Sequence, residues 1–243
     1  MCKKLFLETT VQIDRYYHVK SERNRIKKIL KNNFLITSSY VLGEFQYNIV
    51  YDTITYHHLL CDPANETPME ALVRLAKYSG FKPRMNNRVH KMLSSITTGL
   101  DSKEEVKARV ELLIDQIFIK RFMNVDQYLD QTSCARANPL IVKKGETYEF
   151  IRNCRSAPKP GCDIANFLDE HRDEVKIVGS LNEPESIVRG LNRMLENPYG
   201  RNCWSSGDAV ISMEMPEDSH MFTTNIKDFA PLCKALNKNI YST

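Results

Sequence analysis

Short apolar runs alternate with helix-patterned segments at both ends of this chain, and that alternation most tightly limits its fold. Lys3–Leu7 (KKLFL) reads as a strand. Val11, Tyr16, Val19, Ile26, Ile29 and Leu30 then follow a roughly helical period, predicting a helix from about Thr10 to Lys31. Phe34-Leu35-Ile36 reads as a second strand. Thr37-Ser38-Ser39 offers an N-cap for a helix from about Tyr40 to Leu60. Toward the other end, Val175–Val178 (VKIV), His220–Thr224 and Asn239–Ser242 read as strands. Between them fall helices at Glu185–Leu195, from Ser205-Ser206-Gly207-Asp208 to about Met215, and at Lys227–Leu236. Alternation of this kind predicts an α/β fold, a central parallel sheet flanked by helices, and requires the two ends to meet in one sheet.

The middle has a different texture. Segments 66–79, 83–97, 102–130 and 163–174 read as helices, with 131–162 less regular. Residues 62–175 are therefore expected to form a large helical insertion, or an enlarged helical layer, within one domain of 243 residues. At 42% hydrophobic the chain can bury a sizeable core. Thirty-four basic against 30 acidic residues leave a net charge of +4, which permits a nucleic-acid partner without demanding one. Seven cysteines, an odd number, with no secretory signal, point to free thiols in a reducing, cytoplasmic setting. No apolar run approaches the ~18 residues of a membrane span, so no membrane partner is expected.

In an open parallel sheet, ligands bind beyond the carboxyl ends of the strands, where strand order reverses. That rule selects among the 30 acidic residues. Glu8 follows the first strand. Asn225 follows His220–Thr224, with Asp228 three residues on. Glu44 lies in the first turns of the helix after the second strand, and Asp208 opens another helix. Carboxylates clustered without His or Cys suit a hard cation, Mg²⁺ or Mn²⁺. Such an ion can activate water and neutralise a phosphodiester in transit. Each residue also has a plainer use. Glu8, Asp208, Asn225 and Asp228 all stand where helix caps stand, and Glu44 is compatible with a solvated helix face.

The placement resembles that of the PIN domain family of metal-dependent nucleases. LFLETTV (5–11) resembles the family's first-strand motif, and ITSSYVLGEF (36–45) the small-residue turn leading into a helix with an acidic residue. GDAVIS (207–212) resembles the Asp that opens a later helix. MFTTNIKDF (221–229) resembles the final strand ending in Thr and then Asn or Asp, and NKNIYS the closing strand. The resemblance implies an acidic pocket with one or two Mg²⁺ or Mn²⁺ ions and hydrolysis of single-stranded nucleic acid, usually RNA, with DNA also conceivable. It makes Glu8, Glu44, Asp208 and Asn225 metal ligands, Asp228 a catalytic support, and Thr9 and Thr224 orienting groups. Toxin-type members of the family act with a neutralising protein partner. Two departures accompany the resemblance: Glu8 stands where the family has Asp, and Asn225 is uncharged. They motivate the alternative of a catalytically weakened scaffold that binds RNA or a protein without cleaving.

A nuclease also needs cations for the phosphate backbone. KSERNRIKKILKNN (20–33) carries six basic residues and one acidic, and Lys27, Lys28 and Lys31 are candidates there, against the alternative of a solvated face. Lys82, Arg84, Arg88, Lys91, Lys120 and Arg121 are further candidates, with Phe81, Phe118 and Phe122 nearby as core or stacking groups. Cys134, Cys154, Cys162 and His171 lack the short CxxC pairs of common zinc sites. His57, His58 and Cys61 fit core or surface use better than catalysis.

Overall fold

Apolar side chains on both faces of a strand require cover on both sides, and the first strand shows this. In β1 (Lys4–Leu7), Leu5 and Leu7 enter one apolar cluster with Val11, Ile26, Leu30 and Phe222. Phe6, between them, enters the larger cluster on the other face with Ile36 and Met221. Period-two alternation with both faces buried is the mark of a parallel sheet inside helices. This computed structural model describes residues 2–78, 83–100, 102–137, 139–151, 162–182, 185–198, 203 and 206–241.

The sheet has five parallel strands. β2 is Phe34–Ser38 and β3 is Gln127–Leu129; β6 is His220–Phe222 and β7 is Asn239–Ile240. Their order is β3-β2-β1-β6-β7. Phe6 stands opposite both Ile36 of β2 and Met221 of β6, so the two ends of the chain meet at the centre as expected. The chain steps outward from β1 through β2 to β3, then returns to β1's other side with β6. Strand order reverses between β1 and β6.

Helices α1 (Thr9–Tyr17) and α2 (Lys20–Leu30) connect β1 to β2. The expected single helix over this segment is interrupted at His18, whose backbone is extended. Arg15 is buried and ties α1 to a later helix, donating to the carbonyls of Arg121, Phe122 and Asn124 at 2.8 to 3.2 Å. After β2, Ser38 Oγ accepts from Val41 N at 3.3 Å and caps α3 (Ser39–Phe45). A π-type turn at Gln46–Val50 joins α3 to α4 (Tyr51–Cys61). Next come α5 (Pro68–Tyr78), α6 (Pro83–Thr97), α7 (Lys103–Leu112) and, after a π-type turn at Leu113–Ile117, α8 (Phe118–Phe122).

The middle of the chain departs from expectation in three places. The helix predicted over 102–130 ends at Phe122, and Gln127–Leu129 becomes the edge strand β3. The stretch 62–175 thus supplies a strand of the sheet as well as helices. Three half-exposed residues carry no readable period; Asp126 fixes them, its carboxylate accepting from Leu35 N at 2.7 Å. Second, the irregular segment holds an antiparallel hairpin, β4 (Leu140–Lys144) and β5 (Thr147–Ile151). Its two-residue turn begins with Gly145 at φ 61°, a signal the sequence did carry. His57 and His58 of α4 serve this region: His58 Nε2 meets Tyr148 O at 2.5 Å and His57 Nε2 meets Glu111 at 3.0 Å.

Third, VKIV is helix, not strand. After α9 (Ile164–Glu170), α10 spans Arg172–Gly179. Val175 and Val178 are buried at i,i+3 while Ile177 between them is exposed, which is helical spacing; three apolar residues in a run of four are too few to separate the two periods. The rest follows the expected order: α11 (Glu185–Glu196), α12 (Gly207–Glu214), β6, α13 (Ile226–Ala235) and β7.

One close approach shapes the later site. A Cβ on Gly43 of α3 would stand 2.8 Å from Cys134 Sγ and 3.3 Å from the backbone nitrogen of Ala137. Helix propensity alone makes Gly→Ala favourable by about 1 kcal/mol, whereas overpacking costs about 1–3 kcal/mol. Gly43→Ala is therefore expected to lower the melting temperature; a raised one would show that the 135–137 turn does not rest on α3.

Candidate acidic site at the switch point

The rim above β1 and β6 is assembled by register. Leu7 pairs with Phe222, so Glu8 emerges opposite Thr223. Glu8 is the N-cap of α1, accepting from Thr10 N at 2.7 Å and Val11 N at 3.3 Å. Its carboxylate also accepts from the hydroxyl of Thr10, and Thr223 lies beside it. Burial pushes its carboxyl up to about 7; the Thr10 hydrogen bonds and the Thr223 hydroxyl oppose the rise and the neighbouring Glu44 charge adds to it. The capping reading of Glu8 is thus realised. A carboxylate has about four lone-pair positions, and three donors from Thr10 and Val11 already engage Glu8.

Glu44, half-buried on α3, receives a hydrogen bond from the Thr9 hydroxyl. The start of α12 lies against it. A Cβ on Gly207 would be 3.7 Å from Glu44 Oε1 and 3.8 Å from the Tyr40 ring. Asp208 follows in that first turn, half-buried. Glu8, Thr9, Glu44 and Gly207-Asp208, far apart in sequence, therefore share one neighbourhood at the reversal of strand order.

Thr224 is the hinge of a second chain of contacts. Its Oγ1 lies 2.8 Å from Thr10 Oγ1 and donates to Asp14 Oδ2 at 2.9 Å. Asp14, Thr224, Thr10 and Glu8 form one series of polar contacts. Asn225 follows, its amide Nδ2 donating to Asp228 Oδ2 at 2.9 Å and its backbone N to Thr223 Oγ1 at 2.8 Å. Its side chain makes no capping bond to α13; Asn225 and Asp228 bind each other instead.

The lysine candidates stand elsewhere. Lys27 and Lys28 are in the last turn of α2 and Lys31 follows it, all exposed. They lead into the amino end of β2, the sheet edge opposite the acidic rim. Charge patterning gives a side of a helix, not the end of the sheet at which it stops. Lys82, Phe81 and Cys154 lie outside the described residues, as do the side chains of Arg84 and Arg88. Cys134 is buried beside Arg136, and the His171 ring stacks on Phe167 with centroids 4.1 Å apart.

Two acidic residues were missed. Asp14 is buried at the rim; the Thr10/Asp14 spacing of i,i+4 places both on one face of α1 and was readable. Glu214, buried at the end of α12, accepts from Ser38 Oγ at 2.5 Å and Thr132 Oγ1 at 2.9 Å. Nothing local marks it, because its partners come from the ends of β2 and β3.

Oxygen-only donors suit Mg²⁺ or Mn²⁺, and Mg²⁺ is commonly held by one or two carboxylates with waters completing its shell. Glu44 and Asp208 carry donors of that kind, whereas Glu8 is engaged by the hydrogen bonds that cap α1. Among the described residues no group of three or more His, Cys, Asp or Glu side chains is placed to hold a metal ion, and no helix is long and apolar enough to cross a membrane. No family model matches this chain, and neither a curated protein nor a solved structure matches it.

Proposed function

We propose that this protein is a Mg²⁺- or Mn²⁺-dependent nuclease of the PIN type that hydrolyses single-stranded RNA. The observation that carries the reading is the gathering of Glu8, Glu44 and the Gly207-Asp208 turn at the switch point between β1 and β6. Carboxylates placed side by side in a half-buried rim repel one another, and a cation relieves that repulsion. When bound, the ion supplies a polarised water and charge neutralisation at the phosphodiester. Glu44 and Asp208 would hold it. Thr9 fixes the rotamer of Glu44 through its hydrogen bond. Glu8, with its carboxyl at about 7, takes up or releases a proton at neutral pH. The Asn225–Asp228 pair flanks the rim one residue beyond Thr224.

The engagement of Glu8 as the cap of α1 favours a second reading, a PIN-like scaffold that binds RNA without cutting it. Calorimetric titration with Mn²⁺ and a cleavage assay on unstructured RNA and DNA oligonucleotides separate the two. The nuclease reading expects Mn²⁺ binding and cleavage abolished by excess EDTA. Equal cleavage in EDTA removes the metal mechanism, and RNA binding with neither Mn²⁺ binding nor cleavage establishes the scaffold.

A further inference from the structure

Beside the acidic rim, α1 and α6 enclose a cleft of about 740 Å³. This is within the ~300–1,000 Å³ range of small-molecule and cofactor sites. One wall is α6, from the middle of the chain. Its Val89, Met92 and Leu93 are buried in the core, while His90, Lys91, Ser94, Ser95 and Thr98 line the cleft. Spacings of i, i+1, i+4, i+5 and i+8 place those five on one helical face. The other wall is Asp14, Tyr17 and His18 of α1, and Thr224 closes the end nearest the rim. Thr224 also bonds Asp14 and Thr10, so the cleft reaches Glu8 through two threonine hydroxyls.

The lining has the chemistry of nucleotide recognition. Ser94, Ser95 and Thr98 present hydroxyl oxygens that can accept from a base edge; Ser95 and Thr98 direct their protons to Met92 O at 2.7 Å and Ser94 O at 2.8 Å. Tyr17 offers a ring for stacking. Lys91 is exposed at the mouth with His18, on the same side of the sheet's end as the carboxylates, where Lys27, Lys28 and Lys31 are not. Glu22, the acidic group at the far edge, is engaged by Arg25 at 2.6 Å.

We propose that this cleft receives one nucleotide of a single-stranded RNA, the residue adjoining the bond at the acidic rim. Its base lies between Tyr17 and the hydroxyl face of α6, and its phosphate faces Lys91. The identity of the ligand rests on the nuclease reading; the location of the cleft does not.

Binding is measured in EDTA with the full chain, so that cleavage plays no part. A labelled RNA hexamer is followed by fluorescence anisotropy, and 5′-mononucleotides are tested as competitors. Base stacking and phosphate contacts of this kind are worth about fivefold to 100-fold in affinity. Lys91→Ala is expected to weaken the hexamer about threefold to tenfold. Ser94→Trp, which fills the cleft, is expected to weaken it at least tenfold, with Ser95→Trp as the substitute should that variant melt early. Mononucleotides compete at higher concentration. Wild-type affinity in a folded cleft-filling variant overturns the proposal, as does a hexamer that fails to bind at all, or a mononucleotide that binds where the hexamer does not. Hexamer binding lost in Ser94→Trp, from a protein that cleaves nothing with Mn²⁺, keeps the cleft and removes the nuclease reading. Metal-dependent cleavage with KM unchanged in Ser94→Trp does the reverse.

Discussion

Asp208→Asn and Glu44→Gln each lower Mn²⁺-dependent cleavage of single-stranded RNA by about 100-fold or more, with the fold retained. Removing one charged or hydrogen-bonding group aimed at developing charge typically costs 10²–10³ in rate, and losing a metal carboxylate removes the ion as well. Both substitutions keep shape and volume. In Glu44→Gln the new amide carbonyl still accepts from the Thr9 hydroxyl, and Asp208 sits half-buried in a first turn. The melting temperature should therefore change little, which separates lost chemistry from lost structure. Glu8→Gln is the informative companion. If Glu8 acts only as the cap of α1, the variant melts earlier but still cleaves; if it also holds the ion, activity falls as far as in Asp208→Asn. Cleavage within about threefold of wild type in both Asp208→Asn and Glu44→Gln would sink the nuclease reading.

The legible parts of this molecule are those decided by local pattern. β1, β2 and β6 carry apolar runs bounded by polar residues, and their order along the chain sufficed to predict a parallel sheet joining the two ends. β3 was hidden because Gln127–Leu129 owes its strand to pairing with β2 and to the Asp126 latch, both tertiary. VKIV misled because Val175 with Ile177 reads as strand alternation, while the pair that is buried, Val175 with Val178, has helical spacing. The candidate rim was chosen by asking which acidic residues follow strands, a topological rule that can be applied to a sequence. Asp14 and Glu214 escaped it because they lie within helices and reach Thr224, Ser38 and Thr132 only after folding. The lysines of α2 stand apart from the rim for the converse reason: a charge run is visible anywhere, but its distance from the rim is set by which end of β2 the helix feeds.

Glu214 gives the second large effect, in stability. Burial pushes its carboxyl up to about 7, from an ordinary 4.5. The hydroxyls of Ser38 and Thr132 pull it down, the Asp130 charge pushes it up and the Arg136 charge lowers it, but burial dominates. Between those two values the folded chain holds a proton that the unfolded chain has released, so stability falls as pH rises. A shift of this size corresponds to about 3 kcal/mol between pH 4.5 and pH 7. Glu8, also raised to about 7, adds a change of the same sign. Glu214→Gln removes the first contribution and leaves the second. In urea denaturation with EDTA present, the variant should lose distinctly less stability than wild type between pH 4.5 and about pH 7.5. Near pH 8 it should be the more stable protein by a few kcal/mol, because a neutral amide bears no charge to bury and the two hydroxyls can turn to match it. Parallel pH profiles for the two proteins would mean that Glu214 is ionised without penalty, and that the polar group formed by Ser38, Thr132 and Glu214 is open to water.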